Sequence, residues 1–240
     1  MPFGLSNGSL CAYTACMRVC FVTGGSLADF SERWQELEAE VVVCGFQALG
    51  EVSYELELKG ETSLFEDVAL LSKEKRCVVL GGCFTDARGI RRKSVVVAEK
   101  GRILGVSDMV NRIDGSQYRA GAGIKIYETT AGKLGVVVAE DLYFPCVLET
   151  LSAGGADVAV CMFEQLTESL EPMLARAQAF LCGIPVLLCS YGYALITDIG
   201  GKIRFASPKN PCVYDLEREQ EYHLVETRRR GFYRSARKGL

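Results

Sequence analysis

Short apolar runs alternate along the chain with segments whose apolar residues recur at helical spacing. RVCFV at 18–22 and VVVC at 41–44 are apolar on both faces, the pattern of strands covered from both sides. Between them, SLADFSERWQELE carries Ser26 and Asp29 three residues apart, a capping-box arrangement that opens a helix. The pattern then predicts a helix over about 62–75, a strand CVVLGG at 77–82, and a hairpin SVVVAEKGRILGV turning at Lys100-Gly101.

The second half repeats the alternation. IKIYETTAGKLGVVVA reads as another hairpin, followed by a helix from Pro145 to Ala153 that stops at Gly154-Gly155, and then the strand DVAVC. In PMLARAQAFLCGIP, Met173, Leu174, Ala177, Phe180 and Leu181 recur at helical spacing until Gly183 and Pro185 end the helix. PVLLCS and YALITD close the core as strands. Strands alternating with helices predict sheets covered by helices, and the interspersed hairpins make those sheets mixed rather than purely parallel. No repeat, low-complexity tract or long linker marks a second domain. Residues 1–16 read as an N-terminal extension, because Met17 is followed at once by the first strand, and 17–240 read as one domain.

Composition narrows the classes. A formal charge of -3 gives no general attraction to polyanions. The eleven cysteines lie mostly in apolar runs without a CxxC pair, which predicts buried, reduced thiols in a cytoplasmic protein. With one histidine, His223, and no zinc spacing among the cysteines, no metal and no other cofactor is expected. No apolar run is long enough to cross a membrane.

The most specific stretch is GKLGVVVAEDLYFPCVLETLSAGGADVAV at 132–160. It resembles the nitrilase, or carbon-nitrogen hydrolase, superfamily, whose members carry G-[KR]-[IL]-G-x-x-[IV]-C-[YE]-D-x-x-[FW]-P followed by a G-A-D strand. Gly132, Gly135, Glu140, Asp141, Phe144, Pro145 and Gly155-Ala156-Asp157 match in register. More weakly, the likeness extends over VVVCGFQALGEVSYEL, KSVVVAEKGRILGVSDMVNRID and RAQAFLCGIPVLLCS. It implies an α/β fold, a four-layer αββα sandwich of two mixed β-sheets. It also implies a homodimer, or a hetero-oligomer with a related subunit, paired through the helix after the nucleophile strand and the later R-A helix.

The family works with a cysteine nucleophile, a glutamate base and a lysine. Here those positions fall on Ala139, Phe46 and Met109. A second glutamate of many members belongs near Asp114–Gln117, where the stretch is shortened. Hydrolysis through a thioester needs a thiolate, a base and a group that holds the oxyanion. Losing a protease nucleophile costs about 10⁶ in turnover, roughly 8 kcal/mol. The sequence expectation is therefore a catalytically degenerate member, not an enzyme, that acts by binding or assembly. A small molecule or a protein would be its ligand. Exchanging a buried ionic group for apolar side chains can be neutral or stabilising, so Phe46 and Met109 should fill the old site, the Met109 sulfur against the Phe46 ring and Ala139 beneath.

Two alternatives stand beside that expectation. Cys44, Cys83 and Cys161 lie at apparent strand ends, where one of them could serve as a relocated nucleophile in an active amidase-like hydrolase. The basic tail RRRGFYRSARKGL, with Phe232 and Tyr233, has a composition that suits single-stranded nucleic acid, although the family's arginine-rich arm on a neighbouring subunit accounts for it better. Cys44, Glu140 and Cys161 are taken as lining the vestigial pocket, and Glu140-Asp141 as shaping the turn before Pro145.

Overall fold

Thirteen strands and five α-helices make up the part of the chain that the computed structural model describes, residues 16–33 and 38–217. The strands are β1 (Cys16–Val22), β2 (Val41–Cys44), β3 (Glu51–Ser53), β4 (Val78–Ala87), β5 (Ile90–Glu99), β6 (Arg102–Asp108), β7 (Ile126–Thr129), β8 (Gly132–Val138), β9 (Val158–Met162), β10 (Val186–Ser190), β11 (Tyr193–Thr197), β12 (Ile203–Ser207) and β13 (Cys212–Glu217). The helices are α1 (Leu27–Arg33), α2 (Tyr54–Lys59), α3 (Leu64–Glu74), α4 (Pro145–Ala153) and α5 (Leu170–Cys182), and a 3-10 turn spans Ala139–Tyr143.

One sheet has the order β13-β1-β2-β4-β5-β6, with β3 also on β4; the other has the order β12-β11-β10-β9-β8-β7. Both are mixed. β1, β2 and β4 are parallel, as are β8, β9 and β10, while hairpins add antiparallel neighbours at the flanks.

Residues two apart on a strand share a face, and this parity builds the layers. Val19, Phe21, Val43, Leu80, Val95 and Val97 of the first sheet share one buried cluster with Leu134, Val160 and Leu187 of the second. The alternate residues Cys20, Val42, Val79 and Val96 pack outward, in a cluster with Val68 and Leu71 of α3. α4 and α5 cover the other sheet. The αββα sandwich is thus the observed architecture.

Most expected elements are present. The 145–153 helix has the bounds read from the sequence, and the turn between β5 and β6 sits at Lys100 (φ 53) and Gly101 (φ 78). Two consecutive left-handed residues give the twist that a two-residue hairpin needs. The strand expected at 77–82 runs on to Ala87, because Phe84, Thr85 and Asp86 pair with β3 as well as β5. The short α2, capped by the Ser53 hydroxyl accepting from Leu56 N, and the strands β3, β12 and β13 were not expected. β1 begins at Cys16, one residue inside the expected extension. The rest of that extension, part of the 26–38 helix, His223 and the basic tail lie outside the described residues. No helix among the described residues is long and apolar enough to cross a membrane.

Candidate functional site

At the end of β8 the chain leaves the sheet through Ala139, which is fully buried at φ 49. A residue with a Cβ pays about 1–2 kcal/mol for the left-handed conformation. The strand thus turns sharply into the 139–143 turn, the kind of strained elbow that elsewhere presents a nucleophile at the top of a strand.

The elbow is clamped from both sides. Toward the first sheet, the Asp141 carboxylate accepts hydrogen bonds from Val110 N (2.9 Å), Asn111 N (2.8 Å) and Asn111 Nδ2 (2.9 Å). Burial outweighs these donors and raises the Asp141 pKa above its ordinary value. Toward the helices, Gln178 Nε2 of α5 donates to Leu142 O, and Tyr143 Oη donates to Glu171 Oε1 at 2.6 Å. Glu171 Oε2 in turn accepts from Thr167 N at 2.9 Å. Burial, then the Glu171 carboxylate, pushes the Tyr143 hydroxyl up.

Phe46, Met109 and Ala139, the positions assigned to the family's reacting groups, lie in one buried cluster. Met109 N donates to Lys93 O (2.9 Å) and Met109 O accepts from Gly121 N (2.8 Å). The Phe46 ring packs on Phe84 at a centroid distance of 5.1 Å, and Phe84 stacks on Tyr118 at 5.6 Å. This aromatic row runs from the core out to the loop after β6. Gly82 makes the row possible: a Cβ there would stand 2.9 Å from Phe46 N.

Charge enters at the outer end of the row. Lys93 shares the inward parity of Val95 and Val97, and its Nζ lies 5.5 Å from the Tyr118 ring centroid. The same ammonium donates to Glu140 Oε1 at 2.6 Å. The other carboxylate oxygen, Glu140 Oε2, is buried and has no hydrogen-bond partner among the described residues. Arg91 stands over Tyr118 as well, its guanidinium carbon 5.8 Å from the centroid, and pairs with Glu51.

The thiols are placed differently. Cys44, Cys83 and Cys161 are buried, and burial pushes each of their pKa values well up. Among the described residues, none of the three has a neighbouring cation that would favour its thiolate. Cys161 stands near the Asp141 carboxylate, which raises it further. Of the residues read as lining a pocket, Glu140 is the one that meets a charged partner. Lys93 and Tyr118 were missed by sequence reasoning, although strand parity puts Lys93 on the inner face two residues before Val95. Among the described residues no set of His, Cys, Asp and Glu side chains could hold a metal ion.

The family model described as carbon-nitrogen hydrolase matches residues 21–237. The chain belongs to the carbon-nitrogen hydrolase family. A probable nitrilase of Schizosaccharomyces pombe is 23% identical to this hydrolase-family chain over 192 residues, 76% of the chain and 70% of the relative. Among solved structures, a cysteine-to-alanine variant of the Nesterenkonia AN1 amidase from the nitrilase superfamily superposes with a TM-score of 0.73. The two share 15% identity, over 92% of this chain and 97% of that one. Another form of that amidase, carrying acrylamide added at its active-site cysteine, superposes with a TM-score of 0.72 at 14% identity, covering 92% and 99% of the two chains.

These findings correct the expectation that the chain is not an enzyme. The family is one of hydrolases, and the relatives it resembles are a nitrilase and an amidase with an active-site cysteine. The expectation equated the loss of one side-chain set with the loss of the reaction. The elbow at Ala139 is clamped on both sides, and a cation-carboxylate pair stands beside it.

Proposed function

We propose that this protein is a carbon-nitrogen hydrolase that cleaves amides or nitriles at the Ala139 elbow, beside the Lys93-Glu140 pair. Membership of the family over residues 21–237 carries the reading. The geometry supports it in two ways. The elbow is held from four backbone and side-chain directions, so groups upon it keep fixed positions, which is what orientation-dependent catalysis requires. A buried ammonium beside that elbow also offers a charge to an oxyanion in a low-dielectric setting.

Amide rather than ester chemistry follows from the family, and small substrates follow from the crowding by Phe46, Phe84 and Met109. The experiment is direct. Purified protein is incubated with a panel of short primary amides and the corresponding nitriles, and released ammonia is measured against a heat-treated control. Turnover of one class supports the reading, and an ammonia signal equal to the control across the panel contradicts it.

A further inference from the structure

We propose that residues 110–120 form a lid over the Ala139 elbow, latched by Tyr118, and that this lid lifts to let a small molecule reach the elbow. That the molecule is an amide or nitrile rests on the hydrolase reading above; the lid itself does not.

The enclosure of the elbow requires a moving part. Ala139 is 0% exposed, and Phe46 and Met109 are each 1% exposed, so a ligand meets these side chains only when something over them gives way. The strands around them share one packed core, and core strands are the last elements to open.

The segment from β6 to β7 is built differently. Residues 109–125 form neither helix nor strand, and none of residues 110–126 is buried. Unstructured connections longer than about 12–15 residues are uncommon in a compact domain and often serve as lids or binding loops. The ends of this one are pinned together: Gly121 N donates to Met109 O at 2.8 Å, while Met109 N donates to Lys93 O at 2.9 Å. The chain between them stands on one stem, the form of an Ω-loop.

The loop lies on the elbow. Val110 N and Asn111 N donate to Asp141, and Val110 and Tyr118 pack against the cluster that holds Phe46, Met109 and Ala139. Its grip on the body is concentrated near its two ends. At one end a single carboxylate, Asp141, accepts the bonds. At the other the Tyr118 ring stacks on Phe84 beside the Lys93 and Arg91 cations, and Arg119 N donates to Arg91 O at 2.8 Å. The tip between bonds within the loop, Ser116 N to Ile113 O and Tyr118 N to Ser116 Oγ, and residues 112–117 are exposed apart from the half-buried Ser116. Lifting the tip therefore breaks few contacts with the body, and the Tyr118 ring is the large side chain that must leave its seat.

Hydrogen exchange of the full chain tests the lid without a ligand. In the wild type, the Val110 and Asn111 amides should exchange about a hundredfold faster than those of Val95–Val97, because local opening needs less free energy than global unfolding. Tyr118→Ala should speed the loop amides about tenfold more and leave the β5 amides unchanged, whereas Tyr118→Phe should keep the wild-type rates. Ala139→Cys then places a reporter thiol at the elbow, with near-UV circular dichroism as the check on folding. Mass mapping should show slow alkylation of that thiol by iodoacetamide in the native protein, and alkylation about tenfold faster when Tyr118→Ala is added. Loop amides that exchange no faster than β5 overturn the lid, as does a Tyr118→Ala protein with wild-type loop exchange. A reporter thiol that reacts at one rate with and without Tyr118, or with neither, overturns the route to the elbow. Neither readout uses turnover, so these failures leave the hydrolase reading standing, and control-level ammonia across the amide and nitrile panel removes that reading alone.

Discussion

Lys93 on β5 and Glu140 on the elbow after β8 meet at 2.6 Å, so an ion pair ties one sheet of the sandwich to the other beside the family's reaction position. The tie is half-sheltered, with side-chain exposures of 11% and 26%. Removing one partner leaves the other charge in a poorly solvated place, which is the expensive case. Lys93→Met should therefore cost about 2 kcal/mol, less than the 3–5 kcal/mol of a fully buried pair. The double change Lys93→Met with Glu140→Met should recover most of that loss. Urea unfolding midpoints of the three proteins check both statements.

The Asp141 clamp has a pH signature. Its folded pKa lies above the ordinary 3.8 because burial outweighs the three donors. A carboxyl raised in this way binds its proton more firmly folded than unfolded, so its contribution to stability is greatest at low pH and falls as pH rises through the window above 3.8. Asp141→Asn cannot titrate and presents an NH2 where the carboxylate accepted. We expect it to be less stable by about 1–3 kcal/mol and to lose this component of the pH dependence. Thermal unfolding followed from pH 4 to pH 7, with both proteins, reads the difference in slope.

Gly82 keeps β4 close to the 45–50 segment. Because an added Cβ would meet the Phe46 backbone at 2.9–3.0 Å rather than a flexible side-chain end, Gly82→Ala forces backbone movement. It should cost about 1–3 kcal/mol and disturb the Phe46-Phe84-Tyr118 row, visible as a change in near-UV circular dichroism.

Thiol reactivity separates the shell from the core. Of the ten described cysteines, Cys16 and Cys146 are exposed and the rest are buried. Cys16 and Cys146 should therefore alkylate first among the described cysteines in the native protein at pH 8. Cys44, Cys83 and Cys161 should remain unmodified until denaturant is added. Mass mapping of iodoacetamide adducts decides this, and rapid native labelling of Cys161 would contradict the placement.

The layers were legible in the sequence because parity and helical spacing act locally. Val95 and Val97 face in, Val96 and Ala98 face out, and the helix beginning at Pro145 announces both its ends. The edges were not legible. β12 and β13 carry exposed and half-exposed residues such as Ile203, Arg204 and Tyr214, so their strand character comes from pairing with β11 and β1 rather than from their own pattern. Glu140 and Asp141 were read as shaping the turn before Pro145, but not where they point; the left-handed Ala139 directs both toward the first sheet. The site was half legible. Motif register located the elbow, but the partner of Glu140 lies 47 positions away, a contact that only the closed sandwich makes.

The most direct test of the account is the rate of ammonia release from short primary amides by purified wild-type protein. We predict turnover above the heat-treated control, carried by the folded protein. Ammonia at the control level across amides and nitriles alike, from protein shown to be folded, would contradict it.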